Sequence, residues 1–156
     1  MDEYGSLAII NSLESFFMEK IKLLKNYQEP TRAYIINVFK NAKKGSGDLS
    51  KDSLTIIYSK AKSEQCFELF QNIADWILFS KSIHPESLRG ASEDYYNVLA
   101  QDSYYRCYRL LNRQWSLFEE LADKFPQLIV TLQTTLIPSE IKLEKKVFSS
   151  YFSMEN

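Results

Sequence analysis

The sequence has few residues that make turns. Glycine and proline number four each among 156 residues, below the roughly 7 % and 5 % of average usage. A sandwich or barrel of many short strands needs such residues at most of its turns. The composition therefore excludes architectures with many strands and favours long helices.

Metal ligands and nucleophiles are also scarce, because the chain has one histidine, His84, and two cysteines, Cys66 and Cys107. Sites built on paired histidines are excluded, and no G-x-S-x-G, glycine-rich phosphate loop or H-E-x-x-H motif accompanies these residues. We interpret His84 as a turn residue before Pro85. The cysteines are expected to be buried hydrophobes in a reducing compartment. We predict no enzyme, cofactor or metal.

Long apolar runs are missing. The longest span four residues, as at 76–79, whereas a membrane-spanning helix needs about 20. The first residues lack the basic and apolar regions of a secretory signal. We expect a cytoplasmic protein that does not contact a membrane.

What is present is an ordinary globular composition, with 45 % hydrophobic residues, 25 % charged residues and a net charge of −1. A chain of this length can bury a full core as one domain, here residues 1–156. Together with the helical patterns described next, this predicts an all-α, single-domain helical bundle of five to seven helices.

Apolar residues recur at steps of three and four, which is typical of amphipathic helices. They predict a helix over 9–28, a second that starts near Pro30 and ends at Lys43-Lys44-Gly45, and a third around 54–61. Between 64 and 83 apolar residues cover most of the helix circumference. We predict that this segment is the central helix of the bundle.

A second long helix is predicted to start at Ser92, with a break near Asn112 and a stop at Pro126. Residues 126–137 fit either a helix or extended structure, since leucines at four-residue steps alternate with β-branched residues. The tail 139–156 has helical spacing. It either packs on its own chain or docks on a neighbouring molecule as an exchanged helix.

Carboxylates Glu64, Glu68 and Asp75 share one stripe of the central helix. Di-iron bundles pair such glutamates with Glu-x-x-His motifs, and the sequence has none. We predict a solvated stripe, or one that pairs with Arg106 or Arg109.

Tyrosine and arginine are interleaved along the second long helix. Both side chains are enriched at protein–protein hot spots, because each buries a large area and offers directional hydrogen bonds. We predict a non-enzymatic interaction or regulatory module that binds another protein, or a second copy of this chain. The candidate interface residues are Tyr104, Tyr105, Arg106, Arg109 and Arg113. In the alternative interpretation, the tyrosines belong to the core and the arginines neutralise the acidic segment 64–103.

Two further functions stay open. Residues 19–44 carry seven basic and two acidic side chains, and such a basic face can bind nucleic acid through phosphates. Its basic residues are Lys20, Lys22, Lys25, Arg32, Lys40, Lys43 and Lys44. The other alternative is a small-ligand-binding bundle with a pocket lined by Trp76, Tyr96 and His84.

The segment 74–79 (ADWILF), the turn 85–88 (PESL) and the run 94–96 (DYY) resemble a group of uncharacterised bacterial helical proteins. The resemblance extends over roughly residues 60–130. It departs from that group's pattern where Ser82 replaces a glycine and His84 an aromatic residue. It implies a bacterial or phage source, an all-helical fold and a structural joint at 85–88, and it implies no activity.

Overall fold

The computed structural model describes residues 15, 18–22, 24–42, 51–83, 85–88 and 91–136. Within these ranges the chain forms a helical stretch at residues 18–21, five further α-helices, one 3₁₀-helix and no strand. They are α1 (Glu29–Asn41), α2 (Lys51–Glu64), α3 (Phe67–Ile83), a 3₁₀-helix (Pro85–Ser87), α4 (Glu93–Leu110) and α5 (Ser116–Leu136). The predicted all-α bundle is confirmed, and 54–61 is helical rather than extended.

Several predictions fall on residues outside these ranges. Residues 18–21 of the predicted first helix are helical, while most of 9–17 lies outside the described residues. The same holds for His84, for Lys43 and Lys44, and for the tail 139–156. The predicted extension of the first helix to residue 28 is wrong, because residues 24–28 form turns before α1.

Helix α3 is the centre of the bundle, as its apolar circumference predicts. It packs against α4 most extensively and also contacts α5, α2 and α1. Five side chains in the first twelve residues of α3 are at most 1 % exposed: Phe70, Ile73, Ala74, Ile77 and Leu78. One continuous hydrophobic core therefore joins the described helices.

Ser92 caps α4, as the sequence predicts. Its backbone is extended, and its side chain accepts a hydrogen bond from the backbone N–H of Tyr95 at 3.3 Å. This bond satisfies one of the donors left unpaired at the first turn of a helix.

The predicted break near Asn112 is confirmed and has a defined geometry. The N–H of Asn112 donates to Arg109 O at 3.0 Å, and the N–H of Arg113 donates to Tyr108 O at 2.9 Å. These two bonds form the Schellman motif that closes many helices. Asn112 and Arg113 both have positive φ, 55° and 59°, so the chain turns here without a glycine and enters α5.

The predicted stop at Pro126 is wrong, because Pro126 lies inside α5, which runs on to Leu136. A proline has no N–H, so the carbonyl four residues earlier, that of Ala122, loses its usual helical donor. Gln101 of α4 donates its side-chain Nε2 to this carbonyl at 2.9 Å. A neighbouring helix thus supplies the hydrogen bond that the proline removes, and residues 126–136 are helical.

The segment before α1 is fastened to α5. The N–H of Gln28 donates to Glu120 Oε1 at 3.0 Å, and the hydroxyl of Ser116 donates to Gln28 Oε1 at 3.0 Å. Lys124 donates to Asn26 O at 3.0 Å and pairs with Glu120 at 2.9 Å. These contacts fix where α1 begins.

None of the helices described reaches the length and apolar character needed to traverse a bilayer.

Candidate interaction surface

One candidate contact residue must be corrected, since Tyr104 is 0 % exposed. Its ring packs near those of Phe118 and Phe125, with centroids 6.3 Å and 6.2 Å away. Its hydroxyl donates to Asp75 Oδ1 at 2.8 Å. Tyr104 belongs to the core, as the alternative interpretation of the tyrosines allows, and it is not accessible to a partner.

Asp75 is the centre of a polar cluster that sequence reasoning missed. The hydroxyl of Tyr34 in α1 lies 2.7 Å and 2.9 Å from its two carboxylate oxygens, and Gln71 Nε2 donates to that hydroxyl at 3.0 Å. With Tyr104, the cluster joins α1, α3 and α4. Among the described residues no lysine or arginine pairs with Asp75. The carboxylate is therefore satisfied by hydroxyl groups alone.

Burial controls the protonation of this cluster. It raises the pKa of Asp75 to about 6, against the opposing effect of the hydrogen bonds from Tyr34 and Tyr104. It also raises the pKa of the Cys107 thiol and of both tyrosines, with a further contribution from the Asp75 charge. Since a thiol must ionise to act as a nucleophile, Cys107 is unsuited to catalysis.

The carboxylate stripe divides in two. Glu64 at the end of α2 and Glu68 at the start of α3 are exposed, as predicted, but they lie on different helices and not on one stripe. Asp75 instead turns inward because Tyr34 and Tyr104 cover that part of the face. In the part of the chain that the structure describes, no three His, Cys, Asp or Glu side chains are grouped to hold a metal ion.

Arg106 takes part in a network within the bundle. Its Nε donates to Asp102 Oδ2 at 2.7 Å, and its guanidinium lies 5.6 Å from the Phe70 ring centroid. Tyr58 of α2 donates to the same carboxylate oxygen. Because both side chains of the ion pair are about one-third exposed, 33 % and 37 %, the pair adds little stability. The pair nevertheless means that the guanidinium of Arg106 already has an acidic partner within its own helix.

The remaining candidates are Tyr105 and Arg109 in the last turns of α4 and Arg113 in the turn that follows. Tyr105 is 39 % exposed, and Arg109 and Arg113 are exposed. Tyr105 and Arg109 are four residues apart and share one face of the helix. The hydrogen bond from Arg113 N to Tyr108 O holds Arg113 against the last turn of α4.

Trp115 adds a large aromatic side chain that is not among the candidate interface residues predicted from the sequence. It precedes the first residue of α5 and is 56 % exposed. Its position between the break at Asn112 and the next helix is the sequence signal that could have predicted its exposure. We call Tyr105, Arg109, Arg113 and Trp115 the corner surface.

Five of the seven residues of the basic face lie within the described part of the chain. Lys22, Lys25 and Lys40 are exposed, whereas Arg32 Nη1 donates to Leu24 O at 3.5 Å and Lys20 is half-buried with a contact of its own. Arg32 and Lys40 are separated by about 80° around α1, given 100° per residue. Arg32 and Lys40, the two basic residues of α1, therefore do not lie in one line along that helix.

The residues proposed to line a ligand pocket are mostly used in packing. Tyr96 is 2 % exposed and Trp76 is half-buried against the core. His84 lies outside the described residues.

Comparisons of this chain with protein-family models, with curated proteins and with solved structures find no match.

Proposed function

We propose that this chain is a non-enzymatic interaction module that binds another protein through the corner surface. The observation that carries the proposal is the exposed Trp115, which follows the exposed Arg113 closely in the turn after the helix that carries the exposed Tyr105 and Arg109. Tryptophan, tyrosine and arginine are the side chains most enriched among residues that dominate binding energy. Burying a large apolar side chain stabilises by roughly 1.5–3 kcal/mol, and Trp115 does not gain the full amount within its own bundle.

Other exposed apolar residues differ from this group. Ile56, Val98 and Val130 are aliphatic and 60–69 % exposed, and isolated residues of this kind are common on soluble proteins. The corner surface instead combines aromatic rings with guanidinium groups. It therefore fits a binding role better than these single side chains.

The proposal includes a cytoplasmic location in a bacterial or phage source. Cys66 and Cys107 are both free, as expected in a reducing compartment. The bacterial or phage source follows from the resemblance of segments 74–79, 85–88 and 94–96.

The test is capture of partners from the source cells with the tagged full chain and three variants. Arg109→Ala with Trp115→Ala is expected to remove the specific partner. Val130→Ala, an exposed apolar control on α5, and Lys22→Ala with Lys40→Ala, a control for the basic face, are expected to retain it. Capture that is unchanged in the corner variant, or lost in the basic-face variant, contradicts the proposal.

A further inference from the structure

The two arginines of the corner surface have no acidic partner within the described residues. Elsewhere in this part of the molecule, Arg106 pairs with Asp102 at 2.7 Å and Lys124 pairs with Glu120 at 2.9 Å. Arg109 and Arg113 form no such pair. Their positive charges are therefore unpaired within the described residues, at exposed positions in the same stretch of chain as the exposed Tyr105 and Trp115.

The backbone at Arg113 supplies an independent observation. In the Schellman motif the left-handed residue is the one after the last helical residues, here Asn112, and asparagine tolerates that conformation. Arg113 is left-handed as well, with φ of 59°. A side chain with a Cβ atom costs free energy there that glycine avoids. Local backbone strain of this kind is frequent at functional sites, although Gln65 in the turn before α3 also has a positive φ, 51°.

The chemistry of the group selects the kind of partner. A guanidinium binds a carboxylate through two parallel hydrogen bonds, which are shorter and stronger than those between neutral groups. Trp115 and Tyr105 add flat apolar surface for a neighbouring aliphatic or aromatic side chain. A segment that alternates carboxylates with apolar residues matches both features.

We propose that the corner surface binds an acidic segment of the partner protein, an inference that rests on the proposed function. In this complex, Arg109 and Arg113 pair with carboxylates of the segment, and Trp115 covers an apolar side chain. Charge complementarity selects this occupant over a neutral peptide. A second copy of this chain and a nucleic acid are the competing occupants, and the experiment separates them.

The probes are three short labelled peptides that alternate leucine with glutamate, glutamine or lysine. Fluorescence anisotropy with the full chain is expected to show binding of the glutamate peptide only, and weaker binding as salt rises. Arg109→Gln with Arg113→Gln is expected to reduce that affinity about tenfold or more, as expected for the loss of two charged hydrogen bonds. Arg113→Lys should lose part of the affinity, because lysine cannot form the paired bonds.

Asn112→Gly is the matched control in the same turn and is expected to leave affinity unchanged. Trp115→Phe should remove the change in tryptophan emission on binding, while Trp76 emission persists. Circular dichroism of each variant establishes that it is folded.

Equal binding of the glutamate and glutamine peptides, or full affinity in the arginine variant, overturns the inference. So does tighter binding of a single-stranded oligonucleotide, or a shift to dimers in sedimentation that depends on the same arginines. If capture from cells depends on the corner surface but the glutamate peptide is not preferred, only the acidic partner is wrong. If capture does not depend on it, the proposed function fails.

Discussion

Tyr104 of α4 donates a hydrogen bond of 2.8 Å to Asp75 of α3 from a position with no solvent exposure. The contact joins the central helix to its most extensive neighbour. It places a carboxylate among aromatic rings without a cationic partner in the described residues. The core of this bundle is therefore sensitive to the protonation of one side chain.

Replacing Asp75 with Asn is expected to remove a pH dependence from the free energy of unfolding. The folded-state pKa of Asp75 is raised to about 6 from 3.8, so the folded protein binds this proton more tightly than the unfolded chain does. The resulting stability is fully present below the unfolded pKa and is lost as pH rises through the folded pKa. Between about pH 4.5 and 7.5 the wild type should lose roughly 2 kcal/mol relative to the variant.

Urea unfolding at both pH values measures this difference. Glu68→Gln, on the exposed start of the same helix, serves as the control and should follow the wild type. Parallel curves for Asp75→Asn and the wild type would show that Asp75 ionises normally in the folded protein.

The hydrogen bond from Gln101 to Ala122 O predicts a coupling between Gln101 and Pro126. In the wild type, Gln101→Ala should cost about 1–2 kcal/mol, because it leaves a shielded carbonyl without a donor. With Pro126→Ala, the new N–H of residue 126 can donate to that carbonyl, and the cost should fall by about 1 kcal/mol. Thermal and urea unfolding of the four proteins give the coupling energy.

Gln133 provides the matched control for this cycle. It also donates its side chain to a backbone carbonyl, that of Lys81, at 2.9 Å, but that carbonyl is not the one deprived by Pro126. Gln133→Ala should therefore cost the same with or without Pro126. Equal costs for Gln101→Ala in the two backgrounds would contradict the compensating role of Gln101.

Features that depend on residues close together in the sequence were predicted better than features that depend on contacts between helices. The central helix, the Ser92 cap and the break at Asn112 depend on local patterns, and each was predictable. The predicted stop at Pro126 was wrong because Gln101, which is distant along the chain, supplies the hydrogen bond to Ala122 O that the proline removes. Asp75 and Tyr104 were misjudged because periodicity gives the face of a helix but not the neighbour that covers it.

The corner surface was predictable only in part. Composition indicates Tyr105, Arg109 and Arg113. The exposure of Trp115 is known only from the structure, in which this residue lies between the turn at Asn112 and the start of α5. The pairing of Arg106 with Asp102 joins residues four apart on α4, a spacing that the sequence shows. The sequence does not show that Tyr58 of α2 shares the carboxylate.

Arg113→Gly is expected to stabilise the protein by up to about 1 kcal/mol, because glycine adopts the left-handed backbone at no steric cost. Arg109→Gly, inside the last helical turn, should instead destabilise by about 0.5–1 kcal/mol. Both variants lose one arginine of the corner surface. Urea unfolding compares them. A loss of stability in Arg113→Gly would mean that the Arg113 side chain stabilises the turn and that the backbone at this residue is not strained.

Oxidative footprinting of the captured complex tests the corner surface most directly, with Trp115 as the reporter. Trp115 is 56 % exposed in the isolated chain, so it should be oxidised readily when free and protected several-fold when the partner is bound. Val98, 62 % exposed on α4, should react equally in both states. Protection of Trp115 and Tyr105 together supports the account, and unchanged oxidation of Trp115 in a complex shown to be intact contradicts it.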